Sequence, residues 1–279
     1  MVKRITEWVR GLFSKRSWLV LILVGLIGFL IGALIPLISK PDIAKITINS
    51  PITTQSYTDD VLKMLSYAKN EKSIKGVILE IDSPGGTVSL IEQVYYSVLE
   101  LRKEKPVVTF IGLKALSGGY YIAVASNYIF CQSASVIGNI GARGKLPSSE
   151  ELKENVIISG PFKETGFSEK RLRINLERFK QDFISAVVIQ RGERLKISPE
   201  EISKAEVYTG WEALKYGLID EIGMIDTAIK KVAKLAKVRN YGLVDVSKKL
   251  GIQKPFFFII SYSELKPDCY YLYLEKGVK

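Results

Sequence analysis

The strongest constraint on the fold of this chain is an uncharged, apolar run that extends from Ser17 to Ser39. About 20 consecutive apolar residues cross a bilayer core as a helix, whereas a cleavable signal peptide has an apolar run of about 7–15 residues followed by small residues at a cleavage site. The run here is longer, and Ile35–Ile38 offers no such site. We therefore expect a permanent transmembrane anchor at residues 17–39.

Basic residues precede this run. Residues 1–16 contain Lys3, Arg4, Arg10, Lys15 and Arg16 against Glu7 alone. Positive charge beside a membrane span stays on the cytoplasmic side. The pattern predicts a single-pass protein of the cell membrane, with a basic cytoplasmic segment at 1–16 and everything after Lys40 outside the cytoplasm.

Composition limits the chemistry that the chain can perform. Its 279 residues include no histidine and only two cysteines, Cys131 and Cys269. Without imidazole, Ser-His-Asp and Cys-His catalytic systems are excluded, and so are zinc sites that use histidine. The net charge of +11 is concentrated in residues 1–16 and 230–254. A membrane flank and a basic helix explain these two clusters, so we expect no nucleic-acid partner. We also expect no metal and no cofactor.

The basic helix at Thr227–Arg239 has two interpretations. A lysine-rich amphipathic helix can lie on anionic lipid. It can also cover a protein core with its apolar stripe while its basic face is solvated, and we favour this second interpretation.

Beyond Pro41, short apolar strands alternate with amphipathic helices, which is typical of an α/β fold with mostly parallel strands. The predicted strands are 44–48, 74–81, 107–113, 128–131, 136–140 and 156–159. The predicted helices are 58–71, 88–103, 118–126 and 172–191. We expect one domain at 41–240 and a β-rich tail at 241–279.

Two glycine pairs follow predicted buried strands at points where a helix begins. The first is in residues 82–86 (Asp-Ser-Pro-Gly-Gly). Glycines there let backbone N–H groups point at an anionic ligand, although a tight strand-to-helix turn would explain the same sequence. A nucleotide-binding P-loop is excluded because no Gly-Lys-Ser/Thr follows.

The second pair, Gly118 and Gly119, follows Ser117. Each glycine in the first turn of a helix costs roughly 1 kcal/mol relative to alanine, and close approach of the backbone to a substrate would offset that cost. Ser117 is therefore a candidate nucleophile, and an ordinary serine N-cap is the alternative interpretation.

A nucleophilic serine needs a base, and lysine is the usual substitute in a chain without histidine. Burial must then lower the pKa of the lysine from about 10.4 toward neutrality. Lys163 lies after a predicted buried strand, in an apolar turn that contains Gly160 and Pro161. Lys114 is nearer to Ser117 in sequence, but it lies on the strand that leads into the turn.

Taken in order, these stretches resemble the signal peptide peptidase A family. The matching residues are 81–86, 117–123 (Ser-Gly-Gly-Tyr-Tyr-Ile-Ala), 137–141 (Ile-Gly-Asn-Ile-Gly), 159–164 (Ser-Gly-Pro-Phe-Lys-Glu) and 208–220. The resemblance covers residues 44–238. It implies an α/β fold of the Clp protease/crotonase type, a spiral of β-β-α units, and an activity that hydrolyses remnant signal peptides and other apolar peptides.

The resemblance also implies roles for individual residues. Ser117 would be the nucleophile, Lys163 the general base, and the N–H groups of Gly85 and Gly118 the oxyanion hole. Gly86 and Asn139 would support the site. The family commonly has serine at the position of Asn139, where it orients the lysine.

Family members assemble into rings or domes, so the resemblance implies a homo-oligomer with peptide substrates and a lipid bilayer as partners. Three other functions fit parts of the pattern. One is a stomatin-associated membrane serine protease, although such proteins usually have additional spans. The others are a catalytically inactive membrane scaffold of the same fold and an acyl-CoA hydratase of the same superfamily, whose acid/base carboxylate pair is not evident here.

Overall fold

The structure is a computed structural model that describes residues 15–38, 40–145, 159–163, 165–252 and 271–273. At 15–17, 31, 33–38 and 271–273 it describes the backbone alone. The chain divides into two compact units, Met1–Pro41 and Asp42–Lys279.

The first unit contains helix α1 at Lys15–Ile38. Helices rise 1.5 Å per residue, so its 24 residues extend about 36 Å. The side chains of residues 18–30 are exposed. Among the residues that the structure describes, no helix is both long enough and apolar enough to cross a membrane. The anchor expected at residues 17–39 is therefore not confirmed.

The second unit alternates strands and helices. Its strands are β1 (Asp42–Ile48), β2 (Ile74–Ser83), β3 (Gly85–Thr87), β4 (Val107–Leu116), β5 (Tyr128–Cys131), β6 (Val136–Gly138), β7 (Val207–Thr209), β8 (Glu221–Ile222), β9 (Gly242–Asp245) and β10 (Tyr271–Tyr273). Its helices are α2 (Gln55–Asn70), α3 (Val88–Glu104), α4 (Gly118–Ala123), α5 (Glu169–Arg191), α6 (Pro199–Ile202), α7 (Gly210–Lys215), α8 (Ile225–Leu235) and α9 (Val246–Lys249), and a 3-10 turn lies at Gly192–Arg194.

One large sheet organises this unit, with the strand order β7-β6-β4-β2-β1-β9 and with β5 paired to both β4 and β8. All of these pairings are parallel except that of β6 with β7. Parallel strands are covered on both faces and therefore read as near-continuous apolar runs, as residues 74–81 and 107–113 do. The predicted α/β fold with mostly parallel strands is confirmed. The finer expectation, a spiral of β-β-α units, stays a prediction.

The sheet buries an apolar cluster on each of its faces. Successive side chains of a strand point to opposite faces, and Ile78 and Leu79 of β2 accordingly belong to different clusters. The cluster with Leu79 includes side chains from α2 and α3, and the cluster with Ile78 includes Val232 of α8. Helices thus cover both faces of the sheet, and the ends of the strands remain available for a functional site.

Four sequence predictions differ from the structure. The helix expected at 118–126 ends at Ala123, and the strand expected at 136–140 ends at Gly138, where a φ of +107° breaks the extended backbone. Of the strand expected at 156–159, only Ser159 is described, and it lies in a bend. The tail expected to be β-rich contains β9 and β10 but also α9, which begins where the Asp245 side chain accepts the N–H of Lys248.

A buried ion pair joins the end of α5 to the segment before β8. The Arg191 guanidinium donates to the two carboxylate oxygens of Asp220 at 2.8 and 3.0 Å, and its Nε donates to the Gly217 carbonyl at 2.7 Å. Asp220 Oδ2 also accepts the backbone N–H of Ile129 at 2.7 Å. The two side chains are 1% and 5% exposed. Removing one partner from such a pair leaves an uncompensated charge in the interior.

We expect Asp220→Asn to lower the free energy of unfolding by about 3–5 kcal/mol, because Arg191 then stays buried without a negative partner. Arg173→Gln is the control, since it breaks an exposed pair with Glu169 and should cost less than about 1 kcal/mol. Urea unfolding of the full chain in detergent, followed by circular dichroism, measures both. Equal losses for the two variants would contradict a structural role of the buried pair.

Candidate active site

The two glycine pairs meet at the carboxyl ends of neighbouring parallel strands. β2 and β4 pair up to Ser83 and Ala115, immediately before the two turns. A Cβ added at Gly118 would lie 3.3 Å from the Cα of Gly85 and 2.6 Å from the side chain of Ile91. The turns therefore touch, and a Cβ at position 118 would require the Ile91 side chain to shift. Residues far apart in sequence thus come together at one end of the sheet.

Ser117 has an unfavourable backbone conformation, with φ of +51° and ψ of −122°. These angles are those of the first central residue of a type II′ turn, where glycine is usual. Its side chain makes no capping hydrogen bond to α4, so the interpretation of Ser117 as an ordinary N-cap is wrong. The residue is 2% exposed.

Backbone hydrogen bonds hold Ser117 in this conformation. Its N–H donates to the Gly138 carbonyl at 2.8 Å, and its own carbonyl accepts the N–H groups of Tyr120 and Tyr121 at 2.9 and 3.0 Å. The peptide groups on both sides of the hydroxyl are thus fixed, while the hydroxyl itself hydrogen-bonds no group in the described part of the chain. Non-glycine residues keep such strained angles chiefly where the surroundings determine them fully, as at active sites.

The first glycine turn is fixed by a segment that the sequence analysis did not single out. Gly85 has a φ of +106°, which favours glycine. A Cβ at Gly86 would lie only 2.0 Å from the carbonyl oxygen of Ile52. Ile52 also donates to the Gly85 carbonyl and accepts from Thr87 N–H, both at 2.9 Å. Gly86 therefore supports the turn by allowing the chain at residue 52 to pack against it.

The two N–H groups expected to form an oxyanion hole differ in their partners. Gly85 N–H donates to the Ser83 hydroxyl at 3.2 Å, and that hydroxyl donates to the Ser50 carbonyl at 2.8 Å. Gly118 N–H is the first donor of α4 and has no partner among the described residues. The donor at position 118 is available to a ligand, whereas the donor at 85 must first leave Ser83.

Asn139 lies one residue beyond the carbonyl that accepts from Ser117. It has a φ of +53°, and its backbone N–H donates to Glu206 O at 2.7 Å. Its side-chain Nδ2 donates to Ala205 O at 3.0 Å. The backbone and side-chain N–H groups of Asn139 thus bind residues 205–206 at the end of β6. No hydrogen bond connects Asn139 to Lys163 within the described residues.

Lys163 lies in a turn in which its N–H donates to the Gly160 carbonyl at 3.1 Å. Its side chain is exposed, and Phe162 beside it is 50% exposed. The prediction that Lys163 is buried is therefore wrong, because its turn is exposed to solvent and no described residue covers the ring of Phe162. No hydrogen bond joins Lys163 to Ser117 in this part of the chain.

A carboxyl group that the sequence analysis did not assign lies beside the site. Burial raises the pKa of Asp82, and the positive charge of Lys114 opposes this effect. Asp82 Oδ1 is buried without a hydrogen-bond partner among the described residues. Lys114 is half-buried on β4, on the strand that leads into Ser117, as predicted. Asp82 and Lys114 lie next to the two glycine turns in the sequence, and this position could have marked both as candidate site residues.

The edge of β3 accepts another strand. β10 pairs with it in antiparallel register, with Tyr271 opposite Thr87, Leu272 opposite Gly86 and Tyr273 opposite Gly85. An extended chain can therefore run along residues 85–87, beside Ser117. Within the described residues, no group of three or more cysteine, aspartate or glutamate side chains could hold a metal ion.

Comparison with known proteins agrees with this geometry. The family described as Peptidase family S49 matches residues 100–239, which include Ser117 and Lys163. The protease candidate MJ0651 of Methanocaldococcus jannaschii is 33% identical over 199 residues, covering 66% of this chain and 63% of its own length. Protease 4 of Salmonella typhi is 28% identical over 202 residues, which is 66% of this chain and 32% of that protein.

Two further similarities extend the comparison. The chloroplastic serine protease SPPA of Arabidopsis thaliana is 28% identical over 221 residues, covering 72% of this chain and 33% of its own. A solved structure of a mutant 1510-N membrane-bound stomatin-specific protease has 21% identity and a TM-score of 0.48, over 70% of this chain and 86% of that one. This chain thus spans less than two thirds of the curated relatives named here.

The matched half of the chain contains the strained serine and the glycine turn after it, and the Salmonella and Arabidopsis relatives described above are named as proteases. The chain belongs to peptidase family S49, the family of signal peptide peptidase A.

Proposed function

We propose that this S49-family protease is a serine endopeptidase in which Ser117 is the nucleophile and Lys163 the general base. The observation that carries the proposal is the conformation of Ser117, a strained and uncapped serine between two touching glycine turns. A serine that only capped α4 would have an extended backbone and would accept a hydrogen bond from the first turn. Strain without a capping bond is instead typical of a residue that the fold holds for its hydroxyl.

In the proposed reaction, Lys163 Nζ accepts the Ser117 proton while Oγ attacks the scissile carbonyl carbon. Protonated Lys163 then gives its proton to the leaving amine, the C–N bond breaks, and an acyl-enzyme remains until water hydrolyses it. Gly118 N–H and Gly85 N–H would donate to the oxyanion, and each such donor can contribute about 3–4 kcal/mol in the transition state. Gly85 N–H would first have to give up its 3.2 Å hydrogen bond to the Ser83 hydroxyl.

A base at Lys163 requires that its turn be covered when the enzyme works, since a solvated lysine stays protonated at neutral pH. The support for this residue is the absence of histidine and the family pattern at residues 159–164. The family pattern also supports a homo-oligomer, and a second subunit or a substrate could supply the cover. Lys114 is the rival base.

We propose that the substrates are extended apolar peptides, including remnant signal peptides, that lie along β3. The pairing of β10 with residues 85–87 supports this arrangement, because these backbone groups can bind an extended chain, and a substrate peptide would take the place of β10 there. A peptide in that register passes beside Ser117. The Clp protease/crotonase-like spiral remains part of the proposal as well.

We further propose that residues 17–39 anchor the protein in the cell membrane, with residues 1–16 in the cytoplasm and the catalytic unit outside. The support is the uncharged apolar run and the basic flank before it. An apolar run of about 20 residues is what a helix needs to cross a bilayer core.

The nucleophile is tested with a fluorophosphonate probe, which reacts with activated serines. We expect the full chain to be labelled and to cleave apolar peptides, and Ser117→Ala to lose both properties. Ser126→Ala is the matched control, since Ser126 is equally buried but bonds to Thr109, and it should keep both. An unlabelled but folded wild-type chain would favour the inactive-scaffold alternative.

The strain at Ser117 has its own signature in stability. We expect Ser117→Gly to be more stable than Ser117→Ala by about 1 kcal/mol, because glycine adopts positive φ without a Cβ clash. At most positions glycine is the less stable of the two. Chemical unfolding of the two inactive variants measures the difference, and a more stable Ala variant would argue against strain.

The base is tested by peptidase rates of purified variants whose fold is checked by circular dichroism. Lys163→Arg keeps the positive charge but cannot deprotonate, so its rate should fall by about 10²–10⁴-fold. Lys163→Ala should fall similarly, and Lys114→Ala should keep most of its activity. Near-normal turnover of Lys163→Arg together with an inactive Lys114→Ala would make Lys114 the base.

The proposed orientation is tested by protease added outside intact cells. We expect it to cleave sites after Lys40 and to spare residues 1–16, because positive flanks remain cytoplasmic. An epitope tag at each end of the chain reports the two sides separately. Cleavage that reaches only the amino-terminal tag would contradict the orientation.

A further inference from the structure

Helix α8 packs most of its apolar side against the protein, and Leu235 at its end stays 41% exposed. Ala228, Val232 and Ala233 are buried against the sheet, in the cluster that contains Ile78. The helix therefore does not insert its apolar side into lipid, and the interpretation as a solvated basic face over a core is confirmed. What remains outside is a surface of lysines.

This surface forms a groove of about 650 Å³. Its cations are Lys230, Lys234, Lys237 and Arg239, and Ala233, Val238 and Tyr241 complete the lining. All four cations are exposed. We call these four residues together with Tyr241 the basic groove. It mixes positive charge with one amphipathic aromatic ring.

The charge of the basic groove is not compensated. Some exposed lysines of the domain pair with an acidic residue three positions earlier, as Lys103 does with Glu100 and Lys204 with Glu201. None of the four groove cations makes an ion pair with a described residue, and no acidic residue occurs from 227 to 244. The Asp42 carboxylate lies beside Gly242, and it makes no ion pair with the groove cations either.

The basic groove lies where the chain enters the domain. It immediately precedes β9, and β9 pairs with β1 so that Gly242 is opposite Asp42. Asp42 is three residues after the end of the apolar run, and three residues extend at most about 11 Å. If residues 17–39 lie in a bilayer, Asp42 stays within about one to two Debye lengths of the head groups at physiological salt.

We infer that the basic groove binds the phosphate-bearing head groups of anionic phospholipids at the surface of the membrane in which residues 17–39 are anchored. The inference rests on the proposed anchor for its choice of lipid over free phosphate. Lysines beside a membrane surface are attracted to anionic head groups, and an aromatic ring such as that of Tyr241 is favoured at the interface. This binding would fix how the domain stands on the membrane.

The test is lysine acetylation of the full chain mixed with vesicles, read residue by residue by mass spectrometry. With vesicles of phosphatidylcholine and about 25% phosphatidylglycerol, we expect Lys230, Lys234 and Lys237 to react about threefold to tenfold more slowly than with phosphatidylcholine alone. Lys170 and Lys215 in the same molecules are exposed references. The protection should vanish at about 0.5 M salt, where the Debye length is about 4 Å.

A variant pair tests whether the groove acts as a unit. Lys234→Gln with Arg239→Gln should reduce the protection of the remaining Lys230 and Lys237, while the control Lys196→Gln with Lys204→Gln should not. Equal acetylation with both kinds of vesicle overturns the inference. Protection by about 10 mM inorganic phosphate with phosphatidylcholine vesicles also overturns it, since ionic screening is weak at that concentration and the ligand would then be free phosphate.

This readout is independent of the proposed function. Resistance of the full chain to alkaline extraction from vesicles reports the anchor, and fluorophosphonate labelling reports the protease. A chain that is labelled and anchored but shows no protected lysines refutes the groove alone. A chain that is protected but unlabelled refutes the protease alone.

Discussion

The rest of the site depends on the backbone of Ser117. Its positive φ turns the chain sharply from β4 into α4, and this turn leaves the hydroxyl free of the helix that it begins. A non-glycine residue in such a region costs about 1–3 kcal/mol. The carbonyl of Gly138 and the N–H groups of Tyr120 and Tyr121 provide the hydrogen bonds that hold it. The glycines at 118 and 119 follow from the same turn, because a Cβ at Gly119 would lie 2.6 Å from the Ser83 carbonyl.

A buried hydrogen bond supports the helix that follows Ser117. Tyr120 of α4 is completely buried and donates its hydroxyl to the Leu218 carbonyl at 2.7 Å. Leu218 lies between Gly217 and Asp220, which both bind Arg191. The buried ion pair thus supports the segment on which α4 rests, and it couples the carboxyl-terminal half of the domain to the strained turn. Burial also raises the pKa of the Tyr120 hydroxyl, so it remains a neutral donor.

The sequence predicts the parts of this arrangement that depend on local pattern. Continuous apolar runs mark parallel strands, and glycine after such a run marks a turn where backbones approach, so β2, β4 and the position of Ser117 follow. Solvent exposure of a turn depends on which distant segments pack against it, and this is why the burial expected for Lys163 is wrong. The strain at Ser117, the close approach of Ile52 and the buried carboxyl of Asp82 depend on contacts between turns that periodicity does not contain.

The two proposed functional surfaces lie at opposite ends of the strands of the same parallel sheet. Asp42 and the basic groove lie at the amino ends, where β1 begins opposite Ile74 of β2. The strained serine lies at the carboxyl ends, beyond Ser83 at the other end of β2. The ten residues of β2 separate them, which at 3.3 Å per residue is about 30 Å. In the proposed arrangement, a domain that binds lipid at the amino ends of its strands holds Ser117 away from the head groups. Peptides would then reach β3 only after leaving the bilayer as extended chains, which fits the proposed remnant substrates better than intact membrane segments.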